Sequence, residues 1–181
     1  EVCMSASEPA EGRQGQPLYT SAERARRDAT KWTLVQGILA PIQFLAFASS
    51  LCLVVNYLLN GAGLAAATLS VVVKTFLLYA IMITGAIWEK VVFGRYLFAP
   101  AFFWEDVVSM VVMFLHTAYV VMWLAGWGTP VEQMWMALAA YASYAVNALQ
   151  FLLKFQAAKK TSADSEDDAS TLLGARGVLD T

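Results

Sequence analysis

Four long apolar runs, at residues 33–59, 64–88, 107–126 and 131–155, constrain this chain more than any other feature. Each reaches the roughly 20 residues that a helix needs to cross a hydrocarbon core about 30 Å thick. A soluble bundle of buried helices is the competing reading, but its helices would need polar outer faces that these segments lack. Charged residues make up only 14% of the 181-residue chain, against about 25% in an ordinary soluble domain. The expected fold is therefore all-α: an integral membrane, antiparallel four-helix bundle with short connections.

Charge placement orients the bundle. Arg13, Arg24, Arg26, Arg27 and Lys31 precede the first run, Lys90 and Arg95 lie between the second and third, and Lys154, Lys159 and Lys160 close the fourth. The other two connections carry no Lys or Arg, so the positive-inside rule puts both termini and the 93–106 connection in the cytoplasm. No apolar leader core occurs in the first 32 residues, and no cleavable signal peptide is expected there. Residues 1–17 and 161–181, the latter with the acidic run DSEDD, are expected as disordered tails around a transmembrane domain at 18–160. Thr20 or Ser21 can cap a short helix over ERARRDATKW, which either lies on anionic headgroups or is a solvated positive segment. Cys3 and Cys52 are too few and too far apart for a disulfide framework, and Cys52 is expected as a small buried thiol.

Polar residues inside the runs are the next signal. Gln36 and Gln43 share a face of the first run, beside a kink expected at Pro41. They either glue helices together or line a polar vestibule. Lys74 lies ten residues into the second run, so it either sits within the bilayer or snorkels to the surface. Tyr141, Tyr144, Asn147 and Gln150 form an aromatic and polar seam on the fourth run, for which a structural hydrogen-bond network is the plain explanation.

The third run holds the sharpest constellation. Glu105, Ser109 and the only histidine, His116, follow at steps of four and seven, and Tyr119 extends the same side. Glu105 and His116 share an azimuth but stand about 16 Å apart along the axis. They cannot touch, yet they can bracket one elongated ligand. His116 is open to metal ligation within a planar cofactor, to acid-base work, or to a structural role hydrogen-bonded to Tyr144 or Asn147. No self-contained zinc or haem spacing accompanies it.

The connection FGRYLFAPAFFWEDVV gathers Arg95, Tyr96, Phe98, Phe102, Phe103, Trp104, Glu105 and Asp106, with Glu89 and Lys90 just before it. Aromatics there can cover a flat molecule, the cations can meet an anionic group, and the carboxyls stand at a low-dielectric boundary that can divide acid and base roles. An aromatic belt with ordinary loop ion pairs explains the same residues without catalysis.

Long ordered blocks go further. PLYTSAERARRDATKWTLVQGILAPIQFLAF, VVKTFLLYAIMITGAIWEKVVFGRYLFAPAFFWEDVVSM, FLHTAYVVMW and AAYASYAVNALQFLLK resemble the bacterial 3-vinyl bacteriochlorophyllide hydratases, also described as chlorophyllide 3-vinyl hydratases, across residues 17–159. The resemblance implies a multi-pass enzyme of the bacterial inner or photosynthetic membrane. It would add water to the C3 vinyl group of a chlorophyllide-type pigment, giving a 1-hydroxyethyl group.

That reaction asks for a positioned acid and a base that holds water. Glu105 is the first choice, with Asp106 or Glu89 assisting, and His116 is either an alternative base or an axial ligand to the pigment's magnesium. Arg95 or Lys90 would hold the propionate, and Tyr96, Trp104, Tyr119, Tyr144 and Asn147 would line the pigment. No cofactor is required, since magnesium arrives within the substrate. The expected partners are the pigment, membrane lipid and other pigment-synthesis or photosynthetic membrane proteins, with no nucleic acid. The alternative function is a non-catalytic pigment-binding or assembly subunit.

Overall fold

The computed structural model describes the backbone of residues 18–179 and side chains as far as Ala158. Its five helices are α1 (Ser21–Ala29), α2 (Lys31–Asn60), α3 (Leu64–Phe93), α4 (Phe103–Ala125) and α5 (Pro130–Leu179). No strand occurs among the described residues. The expected amino-terminal tail at 1–17 lies outside them. The bundle is the compact unit Tyr19–Phe155, and residues from Gln156 onward group separately from it. The helical backbone of α5 runs on through the acidic stretch that the sequence reading assigns to a tail.

Helices α2, α3, α4 and the Pro130–Ala158 part of α5 are each long and apolar enough to cross a membrane. Little of their surface is turned inward: Leu34, Leu45, Phe76 and Phe114 are each 66–71% exposed. Without water as a driving solvent, such helices associate by close packing and by polar contacts, and both are present. Val54, Ala67, Val71, Tyr119, Met134, Ala137 and Tyr141 form one buried cluster, in which small side chains let the helices approach. Ser50 hydrogen-bonds both Ser70, at 2.7 Å, and the Tyr141 hydroxyl.

Neighbouring helices run in opposite directions. Gln36 near the start of α2 donates to Thr84 near the end of α3 at 2.7 Å, and Trp88 donates to Thr33 at 3.0 Å. Likewise Lys154 late in α5 reaches Glu105 at the start of α4. The tight α2–α3 turn depends on Gly61, whose φ of 68° is a left-handed conformation that costs glycine nothing.

Helix α1 starts with the expected Thr20 cap, in a full capping box with Glu23. It docks on the end of α3: Arg26 Nε donates to the Val92 carbonyl at 2.9 Å, and the Tyr19 ring stacks on Phe93 at 5.8 Å. Arg26 thereby satisfies one of the carbonyls orphaned where α3 stops. Helix α2 continues through Pro41. One expectation is overturned: Cys52 is exposed, not buried. The inward positions of α2 are Gln43, Ser50 and Val54, and Cys52, two residues from Ser50 and Val54, turns away from them.

Candidate active site

The chemistry-bearing side chains fall at two levels on the inward faces of α3, α4 and α5. The buried stripe of α4 is Glu105, Asp106, Ser109, Val112, His116 and Tyr119, the helical spacing expected of one face.

The deeper level joins Lys74 to His116. Lys74 does not snorkel: both residues are fully buried, and Lys74 Nζ lies 3.0 Å from His116 Nε2. His116 Nδ1 is 2.8 Å from the Val112 carbonyl. A carbonyl oxygen has no proton to give, so Nδ1 carries the hydrogen and Nε2 accepts from the lysine. Both ring nitrogens are thus engaged, and His116 has none free for a pigment magnesium. The Lys74 head also sits 3.7 Å from the centre of the Tyr144 ring, a cation–π contact that substitutes for lost solvent. Neither Tyr144 nor Asn147 takes the hydrogen bond from His116 that the sequence suggested. Asn147 Nδ2 donates instead to Ser109 Oγ at 2.8 Å, and Tyr119 packs in the core cluster.

The second level is the boundary beneath the 94–102 connection. Glu89 on α3 and Asp106 on α4 are 5% and 4% exposed, and their carboxyls sit against each other. Two carboxyls so placed repel each other when both are ionised. The pair also holds the connection overhead: Asp106 Oδ2 accepts from the Phe98 amide at 2.7 Å, and Glu89 Oε2 from the Ala99 amide at 3.3 Å. Phe98 has a φ of 58°, a left-handed conformation costly for a bulky residue. The charge-assisted bond to Asp106 helps hold it there.

Glu105 stands beside the pair but faces α5, where Lys154 Nζ is 2.6 Å from its Oε2. Lys154 counted in the sequence only as a topological charge. Its pairing across 49 residues leaves no local pattern to read. Around these groups, the rings of Trp88, Phe93, Phe151 and Phe155 gather about the buried ring of Phe102. Phe98, Phe103, Trp104 and Tyr96 form an outward rim, exposed by 38%, 44%, 69% and 61%. Arg95 is exposed on the same connection, and Lys90 Nζ donates to the Gly94 carbonyl at 2.9 Å. The structure thus brings Glu89, Asp106 and Glu105 together and places His116 apart from them.

The opposite end of the bundle has a groove of about 510 Å³ between α3, α4 and α5, lined by residues including Leu64, Thr68, Trp123 and Gln133. No carboxyl or imidazole lines it, so it lacks the acid-base groups found at the boundary. No cluster of three or more metal-ligating side chains occurs among the described residues.

The sequence pattern of the 2-vinyl bacteriochlorophyllide hydratases matches residues 19–157, which contain both levels. The chain belongs to this family. A 2-vinyl bacteriochlorophyllide hydratase of Rhodobacter capsulatus is 62% identical over 162 residues, spanning 89% of this chain and 92% of the relative. One from Cereibacter sphaeroides is 66% identical over 143 residues, spanning 78% and 88%. No solved structure matches the chain. As a hydratase-family protein with four helices among the described residues long and apolar enough to cross a membrane, it is a multi-pass protein of the inner membrane.

Proposed function

We propose that this protein adds water across the vinyl group of a chlorophyllide-type tetrapyrrole, at position 3 or 2 according to how the macrocycle is numbered, to give a 1-hydroxyethyl group. Its family supports the activity. The observation that carries the mechanism is the buried, adjacent Glu89–Asp106 carboxyl pair beneath an exposed aromatic rim.

The macrocycle slides from the bilayer against Phe98, Phe103 and Trp104, where flat apolar contact is favourable. The carboxyl pair gives its proton to the terminal vinyl carbon. Positive charge then develops at the inner carbon, where conjugation with the ring spreads it and the carboxylate left behind stabilises it. Water attacks that carbon and returns a proton to the carboxylates, so the enzyme is restored and no electron carrier is needed. Magnesium enters and leaves as part of the pigment.

Glu105, the first choice on the chemistry of hydration, has its charge balanced by Lys154 at 2.6 Å, which suits a fixed carboxylate that holds water or tunes its neighbours. Glu89 and Asp106, buried side by side at the boundary, serve as the acid. Arg95, exposed beside the rim, holds the propionate at the surface, while Lys90 is occupied with the end of its own helix.

The sidedness follows from charge. Lys31, Lys90, Arg95 and Lys154 gather at the acid end, and the 61–63 and 126–129 connections at the other end have no Lys or Arg. Both ends of the chain therefore face the cytoplasm, and the pigment is used at the cytoplasmic leaflet. Purified protein in lipid, given a vinyl chlorophyllide and no added cofactor, is expected to convert it to the hydroxyethyl pigment. Stable binding of unchanged pigment would favour a carrier or assembly subunit.

A further inference from the structure

Three amide side chains between the two levels have polar atoms that no protein group satisfies. Gln43 is 2% exposed, and both its Nε2 and Oε1 are buried without a hydrogen-bond partner. Asn147 is 8% exposed, and its Oδ1 is in the same state. So is Gln150 Oε1. An amide left unsatisfied in an apolar medium costs several kcal/mol, so a chain that keeps these residues keeps them for something polar.

Helix register puts the amides at neighbouring levels of the bundle. The Phe47 ring of α2 packs 5.6 Å from Tyr141 and 4.9 Å from Tyr144 of α5. One turn from Phe47 toward the acid end, α2 presents Gln43; one turn from Tyr144 in the same direction, α5 presents Asn147 and then Gln150. Asn147 is tied to Ser109 of α4, which is itself one turn deeper than Glu105. Lys154, one turn beyond Gln150, holds Glu105. The unsatisfied amides therefore stand on a polar track that ends at the carboxyls.

Resting on the hydratase reading, we infer that Gln43, Asn147 and Gln150 form a seat for the water that is added, about one helical turn deeper than Glu105. A water molecule can donate to two of the three unsatisfied acceptor oxygens and accept from the Gln43 amide nitrogen. A pigment carbonyl would use only the donor. The seat is a positioning device: it presents the water oxygen to the inner vinyl carbon while the carboxyls handle the protons, and its apolar surroundings exclude other nucleophiles.

Two measurements test the seat separately from the activity. In lipid bilayers without pigment, water-edited solid-state NMR is expected to show transfer from water to one glutamine side-chain amide that disappears in Gln43→Leu. A buried Gln43 amide with no such transfer overturns the seat whether or not the protein turns over. Turnover in water containing methanol is the second. Wild type is expected to make almost only the hydroxyethyl pigment, and Gln43→Ala, with a roomier seat, to raise the share of the 1-methoxyethyl product by about tenfold or more, the scale on which a pocket reads one methylene. Pigment affinity stays within about twofold, since a water seat is not a pigment contact. An unchanged product ratio, or a loss of pigment affinity matching the loss of turnover, refutes the role in hydration. If wild type makes neither product, the hydratase reading fails, and the NMR result still decides whether water occupies the site.

Discussion

Lys74 Nζ donates to His116 Nε2 at 3.0 Å in the centre of the bundle, with both residues fully buried. A lysine there has no water to solvate it. It relies on one imidazole lone pair and the face of Tyr144. Removing the imidazole by His116→Leu leaves a buried donor unmet and is expected to destabilise the bundle by about 1–3 kcal/mol. The double replacement Lys74→Met with His116→Leu is expected to recover much of that loss, because an apolar pair of similar volume leaves nothing unsatisfied. Thermal unfolding of the single and double variants in one detergent checks the coupling; strictly additive losses would contradict it.

The same contact bears on the pigment. With Nδ1 given to Val112 and Nε2 to Lys74, His116 has no ring nitrogen free for the pigment's magnesium. The absorption spectrum of bound pigment is expected to be the same in folded His116→Leu protein as in wild type. A shifted spectrum at normal affinity would restore ligation.

Asp106→Asn is the cleanest test of the acid pair. The asparagine oxygen can still accept from the Phe98 amide, so the connection stays in place while the carboxyl is lost. Turnover is expected to fall by about 10²–10⁴, the usual contribution of a general acid or base, with little change in pigment binding. Glu89→Gln is expected to behave alike, and Glu105→Gln to lose less. Equal turnover in Asp106→Asn and wild type would remove the pair from the mechanism.

Arg95 has only surface work to do. Arg95→Ala is expected to weaken binding of the free-acid pigment by about fivefold, near 1 kcal/mol for an exposed charge pair, and to leave the propionate methyl ester unaffected. Equal weakening of both would reject carboxylate recognition.

Gly94 ends α3 with a φ of 81°, and a Cβ added there meets nothing within 4 Å. Any cost of Gly94→Ala is therefore conformational. It is expected to be about 1–2 kcal/mol, read as a fall in thermal stability, and to disturb the connection that carries Phe98. An unchanged melting temperature would mean that the turn does not depend on the left-handed conformation.

The features legible in the sequence are those set by local pattern. Four spans follow from run length, a cap at Thr20 or Ser21 from the residue types that open the short helix, and the inward stripe Glu105, Ser109, His116 and Tyr119 from helical periodicity. Partners were not legible, because they depend on the relative height of different helices. Lys74 and His116 are 42 residues apart, and Glu105 and Lys154 are 49 apart. Nothing local fixes which turn of α3 or α5 stands level with which turn of α4. Cys52 went astray for a related reason: thiols are usually buried, but in a membrane the apolar outside is as welcoming as the core.

Turnover in water labelled with both deuterium and oxygen-18, followed by fragmentation mass spectrometry of the pigment, tests the central claim most directly. Proton transfer from the carboxyl pair and attack by solvent predict one oxygen-18 on the inner carbon and one non-exchanging deuterium in the new terminal methyl group, without any added cofactor. A product whose hydroxyl oxygen lacks the solvent label, or a vinyl pigment recovered intact where a known hydratase converts it, would contradict the account.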